Sequence, residues 1–262
     1  MFGDPQMLPG DKVAVLEIAG PIYSSQGVLE QLYRCRDDSS IKTIILRINS
    51  PGGAVAPVQE IYKELTRSKK KIVVSMGSTA ASGGYYIACA AERIFANPGT
   101  LTGSIGVIMQ FRNIDELMKK VGVEHEVVKS GRYKDSGSMY RELTSEEKEL
   151  FQETIDDVYE QFLDAILEGR QHTELTREQL REIADGRVMS GKQALESQLV
   201  DELGDLSDAI DYAGKLGGIE GKPRVIRMKI KRTLMERVLR GTLGGELDQV
   251  IHDQAVLRYE LL

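Results

Sequence analysis

The chemistry-bearing residues of this chain gather around Ser82, in the run Ser78-Thr-Ala-Ala-Ser-Gly-Gly-Tyr-Tyr86. Lys71-Ile-Val-Val-Ser-Met76 precedes it, a β-branched run between turn signals that reads as a buried parallel strand. The small apolar residues that follow, up to Ala91, read as a helix. A hydroxyl at such a junction stands at the end of a sheet, near free backbone N–H groups and the positive end of a helix. Gly83 and Gly84 permit tight turns and close approach of another chain. Serine before a helix is also an ordinary N-cap, so this stretch alone leaves both readings open.

A serine nucleophile needs a base. His125, His172 and His252 are scattered and lie in no catalytic or metal-binding motif, so they read as structural or surface residues. Lysine can serve when burial lowers its pKa from about 10.4 toward ~7–8. Lys134 lies in a loop bracketed by Gly and Ser, Ser130-Gly-Arg-Tyr-Lys-Asp-Ser-Gly137, although composition alone does not single it out. Three loops end strands of one sheet: Asn49–Gly53, Ser78–Gly84 and Asn97–Ser104. Ligands bind at such carboxyl ends in open α/β sheets. Pro51-Gly-Gly53 can turn N–H groups toward a carbonyl, as an oxyanion hole requires, or it is simply a turn that needs glycine.

The elements that position these loops alternate. Strands are expected at 12–19, 43–48, 71–76, 93–96, 105–109 and 124–128, with helices at 27–36, 55–67 and 114–121 between them. Beyond the loop 130–140 the pattern turns helical. Residues 145–169 carry an apolar stripe behind a Thr144/Ser145 cap, and shorter helices follow at 176–184, 190–199 and 206–216. A late strand is expected at 224–230. The end, 234–262, is amphipathic, contains a Gly241–Gly245 break, and reads as a docking, interface or regulatory tail.

Composition narrows the function. A net charge of −6 without a basic arm argues against nucleic-acid binding. Cys35 and Cys89 sit in apolar helical settings and read as small core residues, giving neither a disulfide framework nor a metal site. No apolar run approaches the ~20 residues that span a bilayer. The turn-rich opening 1–11 reads as a stub, either a natural start or the edge of a longer chain that carried an anchor.

Four pieces in order, Pro51-Gly-Gly53, Ala81-Ser-Gly-Gly-Tyr-Tyr86, Leu101-Thr-Gly-Ser-Ile-Gly-Val107 and Ser130-Gly-Arg-Tyr-Lys-Asp135, resemble signal peptide peptidase A. This is the protease IV family of Ser/Lys peptidases, in its single-length form. The resemblance runs from about Val13 to Gly218. It implies an α/β, crotonase-like (Clp protease-like) fold with a helical C-terminal extension: a peptidase domain over 12–220 and a strand and tail over 221–262. It implies that Ser82 is the nucleophile and Lys134, 52 residues later, the general base, with Ser104 orienting the lysine. Oxyanion donors would be Gly83 and one of Gly52 and Gly53. It further implies no metal or cofactor, and a homo-oligomeric ring of eight in which Ser and Lys come from neighbouring copies. Expected substrates are cleaved signal peptides and other unfolded apolar segments. The native form is expected at the cell membrane, with its catalytic domain on the extracytoplasmic side and held by an N-terminal anchor absent from this chain, which would itself be soluble. The competing readings are an acyl-CoA enzyme of the crotonase type and a non-catalytic membrane scaffold of the same fold.

Overall fold

A computed structural model describes residues 10–228 and 258–260. Strands β1 (Lys12–Ala19), β2 (Ile41–Ser50) and β4 (Lys71–Ala81) run parallel, separated by helices α1 (Gln26–Asp37) and α2 (Val55–Thr66). A short β3 (Gly52–Ala54) lies between β2 and α2. The strands read as continuous apolar runs because both sheet faces are covered, and the period of two sorts their side chains. Leu16, Ile44, Leu46, Ile48, Val74 and Met76 face α1 and α2. Val13, Val15, Ile45 and Val73 face Ala209 and Ala213 of helix α8 (Leu206–Leu216).

Strand β4 is longer than the sequence suggests and reaches Ser82 without an intervening loop. Its register against β2 slips between Ile48 and Ser50: Met76 pairs with Ile48, but Ala80 pairs with Ser50. The side-chain oxygen of Asn49 accepts the Thr79 N–H (3.1 Å), and Thr100 Oγ1 donates to the Gly77 carbonyl (2.7 Å), which fixes the irregularity. Such a bulge bends a strand. Here the first half of β4 pairs with β5 (Arg93–Ala96), and the last three residues pair with β6 (Leu101–Gly103). The sheet therefore forks just before the serine.

Helix α3 (Gly83–Ala88) follows directly, then α4 (Asp115–Lys120) and the 25-residue α5 (Ser145–Gly169). Thr144 caps α5 through a capping box with Glu147. Beyond α5 come α6 (Arg177–Ile183), β7 (Val188–Ser190), α7 (Gly191–Glu196), β8 (Glu202–Leu203), α8 and β9 (Arg224–Arg227). Strand β9 joins the main sheet beside β1, and β7 adds antiparallel to β6. Buried Arg170 at the end of α5 clamps Asp201 with two bonds of 2.9 and 2.7 Å. The expected helix at 190–199 forms as the shorter α7, with Ser190 as its cap at the end of β7.

Two expected strands do not form. Past Gly103 the chain leaves the sheet, and within 105–109 only Ile108 makes a β-bridge, to Arg258. Residues 124–128 find no partner strand; Val127 is exposed and Val128 is 98% exposed. Both segments have apolar alternation, but 105–109 meets a neighbouring strand at Ile108 alone and 124–128 has none within the described residues. The expected strand at 224–230 is described to Arg227 only, and most of the 234–262 tail lies outside the described residues. Its residues 258–260 form β10.

Candidate active site

Ser82 occupies the N-cap position of α3 but does not act as a cap, since its side chain makes no capping hydrogen bond. Its backbone is left-handed, φ 51° and ψ −116°, which costs an L-residue about 1–3 kcal/mol. Its N–H donates to the Gly103 carbonyl (2.8 Å) and its carbonyl accepts the Tyr86 N–H (2.9 Å), so the strained turn is pinned on both sides. A sharp strand-to-helix turn of this kind presents a nucleophile's oxygen at the top of a sheet. Helix α3 has only six residues, so its field is weaker than the sequence reading supposed; what it supplies at the site is the Gly83 N–H.

Ser104 is the second strained serine. Its φ is 49°, and with Ser82 and Gln198 it makes up the non-glycine residues of positive φ among those described. Ala81 pairs with Gly103 across the parallel β4–β6 ladder, so Ser82 and Ser104 stand side by side one residue further on. Strand spacing puts their backbones roughly 5 Å apart. The Ser104 N–H is held by the Arg187 carbonyl (2.8 Å). Its side chain opens on a cavity of about 500 Å³ lined by Ile105, Val107, Ile155, Asp156, Tyr159 and Asp185.

The glycine loop faces this pair. The Gly52 N–H is taken by Ser50 Oγ (3.1 Å). The Gly52 carbonyl accepts the Ile22 N–H (2.8 Å), and the Ala54 N–H donates to the Ile22 carbonyl (2.9 Å). Alternation along β3 therefore turns the N–H of Gly53 to the opposite side. There β10 (Arg258–Glu260) runs antiparallel to β3, with Tyr259 opposite Gly53. A Cβ on Gly52 would stand 1.9 Å from the Tyr259 carbonyl oxygen and 2.8 Å from the Gly83 nitrogen. One on Gly83 would meet the Tyr259 carbonyl at 3.1 Å. The bare glycines thus admit a peptide carbonyl beside Ser82, and the chain's own tail provides one. The Tyr259 side chain is fully buried, its ring against Tyr86 (5.1 Å) and Phe162 (4.8 Å) and its hydroxyl donating to the Val158 carbonyl (3.1 Å). Burial pushes the Tyr86 phenol up to about 12.

Lys134 is not part of this cluster. It lies on an exposed turn, and among the described residues its ammonium has no partner. Its loop is mounted at the start of α5, where Ser136 bonds Glu147 (2.8 Å), whereas Phe162 of α5 is the residue that meets Tyr86. Fifteen residues of helix between Glu147 and Phe162 span roughly 22 Å. Ser82, Ser104 and the glycines converge within one chain, and Lys134 stands apart. Of the histidines, His172 bonds Asp201 (2.7 Å) and His125 stacks on Tyr140; His252 lies outside the described residues. The sequence reading missed Tyr259 and the bracing of Gly52 by Ser50. The alternating Arg258-Tyr-Glu260 at the chain's end was the available signal for the first.

Comparison with known proteins gives the family. The model of peptidase family S49 matches residues 64–220, and that of Clp protease matches 14–102. A relative from Synechocystis sp. that carries a protease name is 45% identical over 213 residues, covering 80% of this chain and 76% of its own length. Protease 4 of Haemophilus influenzae is 35% identical over 79% of this chain, which spans 35% of that protein. The chloroplastic serine protease SPPA of Arabidopsis thaliana is 31% identical over 94% of this chain and 40% of its own length. The chain belongs to peptidase family S49, a family of serine peptidases, and has the crotonase-like α/β fold with a helical extension that its sequence implies. Among the described residues no helix is long and apolar enough to cross a membrane.

Proposed function

We propose that this chain is a serine endopeptidase in which Ser82 attacks the peptide carbonyl and Lys134 of a neighbouring copy is the general base. The observation that carries the reading is the left-handed, non-capping Ser82 beside a glycine-lined slot that already holds an extended peptide strand. An acyl-CoA enzyme has no use for a groove that pairs with peptide backbone, and a scaffold has none for a strained, uncapped serine.

In this scheme the substrate adds antiparallel to β3 as β10 does, its carbonyl between Gly52 and Gly83. Ser82 Oγ attacks and its proton passes to the neutral Lys134 amine, which Ser104 orients. The oxyanion is held by the N–H groups of Gly83 and Gly53; Gly53 is preferred to Gly52, whose own N–H is occupied by Ser50. The lysine then protonates the leaving amine, and water, activated by the same lysine, hydrolyses the acyl-serine. A lysine base must be desolvated, which the exposed Lys134 of one chain achieves only when a second copy covers it. Exposed Leu117, Val121, Val123, Val127 and Val128 on the same arm are the apolar surface such a contact would bury. We take the assembly to be a ring of eight, and the native form to be anchored at the membrane on the extracytoplasmic side. Substrates are cleaved signal peptides and other unfolded apolar segments, consistent with the aromatic pocket that holds Tyr259. The tail occupies the groove as a substrate does, so it regulates access.

The test is hydrolysis of an apolar fluorogenic peptide by the wild type and Lys134→Ala, with folding and assembly checked on both. Loss of cleavage in a folded, assembled variant is expected; full activity in the variant removes Lys134 as the base. If neither protein cleaves although both assemble, the peptidase reading itself fails and coenzyme A binding becomes the next assay.

A further inference from the structure

We propose that Arg141 is a positioning residue for this reaction, clamping the loop that carries Lys134 onto the first turn of α5. The inference rests on the reading of Lys134 as the base. The loop is a chain of tight turns: the Lys134 N–H donates to Gly131 (3.2 Å), Ser136 to Tyr133 (3.1 Å) and Ser138 to Asp135 (3.1 Å). Turns of this kind fix local shape but not the direction in which the loop points. Tyr133 and Met139 are exposed, so burial of these large apolar side chains does not supply that direction either.

Arg141 does. On one side its Nε reaches Asp135 Oδ2 (3.0 Å), and its Nη2 reaches Oδ1 (2.9 Å) and the Asp135 carbonyl (3.1 Å). On the other, Nη1 and Nη2 grip Glu147 at 2.8 and 2.5 Å. Glu147 also accepts the Thr144 N–H (3.0 Å) and the Ser136 hydroxyl (2.8 Å), so the clamp ends on the cap of α5. Asp135 follows Lys134 directly, so with its carboxylate and carbonyl both held, the residue next to the lysine is fixed. Lys129 adds a further bond to Asp135 (2.5 Å). Only a guanidinium offers two planar forks at once, which a lysine cannot reproduce. The Arg141 bond is the largest influence holding the Asp135 carboxyl far below the usual range, and likewise takes Glu147 down to about 2, so both stay ionised at working pH. The loop has a second anchor: Gly137 lies against the Phe111 ring, which packs on Phe151. Removing the clamp therefore loosens the loop's aim without detaching it.

The experiment compares full-length Arg141→Gln, Asp135→Asn and the double variant with wild type, measuring kcat, KM, the pH–rate profile, melting temperature and assembly on an apolar fluorogenic peptide. A loosened base costs about 10- to 100-fold in kcat, with KM held within about twofold. A fall in kcat per assembled enzyme with KM unchanged is what mere loss of folded protein cannot produce. The double variant is expected to be no worse than either single one, because both break the same clamp. Arg141→Lys is not expected to restore the rate. An unchanged kcat, or a fall that only matches the loss of assembled protein, overturns the inference. So does failure of both single variants to assemble. Lys134→Ala separates the two claims: if it keeps activity the base assignment falls, and if it is silent while Arg141→Gln is normal, only the clamp falls.

Discussion

Gly52→Ala tests the slot at the centre of the site. The new methyl would stand 1.9 Å from the Tyr259 carbonyl oxygen, in the position we assign to the scissile carbonyl, and 2.8 Å from the Gly83 nitrogen. The first clash is with a three-residue strand that can leave; the second is with backbone, so the start of α3 must shift to admit the methyl. Gly52 also has φ +107°, so alanine there carries about 1–3 kcal/mol of strain. That is less than the ~5–15 kcal/mol of a typical domain, and the variant should fold. Losing the oxyanion contact costs about 10²–10³ in kcat, or roughly 3–4 kcal/mol of transition-state stabilisation. The assay is peptide turnover beside a denaturant midpoint. Gly99→Ala is the control, because a methyl there meets nothing within 4 Å. Gly53→Ala offers a contrast: its methyl would lie 2.2 Å from the Ile22 carbonyl oxygen and 2.5 Å from its nitrogen, both fixed backbone, so misfolding is expected. A folded Gly52→Ala enzyme that turns over within about threefold of wild type would show that no carbonyl uses this slot.

Three further outcomes follow from the geometry. A chain ended after residue 257 should cleave a short peptide with a lower KM than the full chain, since Tyr259 no longer competes for the pocket; equal KM values would show that the tail does not occupy the groove in solution. Ser82→Gly and Ser82→Ala should both be inactive, but the glycine variant should be more stable by about 1 kcal/mol because it adopts φ 51° without strain, as chemical denaturation can measure. Burial raises the thiols of Cys35 and Cys89 to about 12, so thiolate forms only well above neutral pH. Neither should react with a thiol reagent at pH 8 in the native protein, and both should react once it is unfolded; native labelling would mean that the core opens at these positions.

The strand and helix alternation of the first hundred residues was legible because continuous β-branched runs and amphipathic helices report directly on a sheet covered on both faces. Ser82, Ser104 and the two glycine loops were legible as an ordered set of motifs. Whether Ser82 caps a helix or presents a nucleophile was not, because the sign of its φ depends on Gly103 and the forked sheet. The apolar alternation at 105–109 and 124–128 misled for a related reason: a strand needs a partner edge, and pattern alone does not supply one. Tyr259 escaped because its pairing with Gly53 spans most of the chain. Arg141 escaped because its clamp joins a loop to a helix cap with no periodic signature.

The most direct test of a site shared between copies is complementation. Ser82→Ala and Lys134→Ala proteins, each inactive alone, are dissociated, mixed in equal amounts and reassembled, and peptide hydrolysis is measured. If one copy gives the serine and its neighbour the lysine, about a quarter of the sites receive both, and activity returns to about a quarter of wild type. No recovery from a mixed, properly assembled ring would contradict the account.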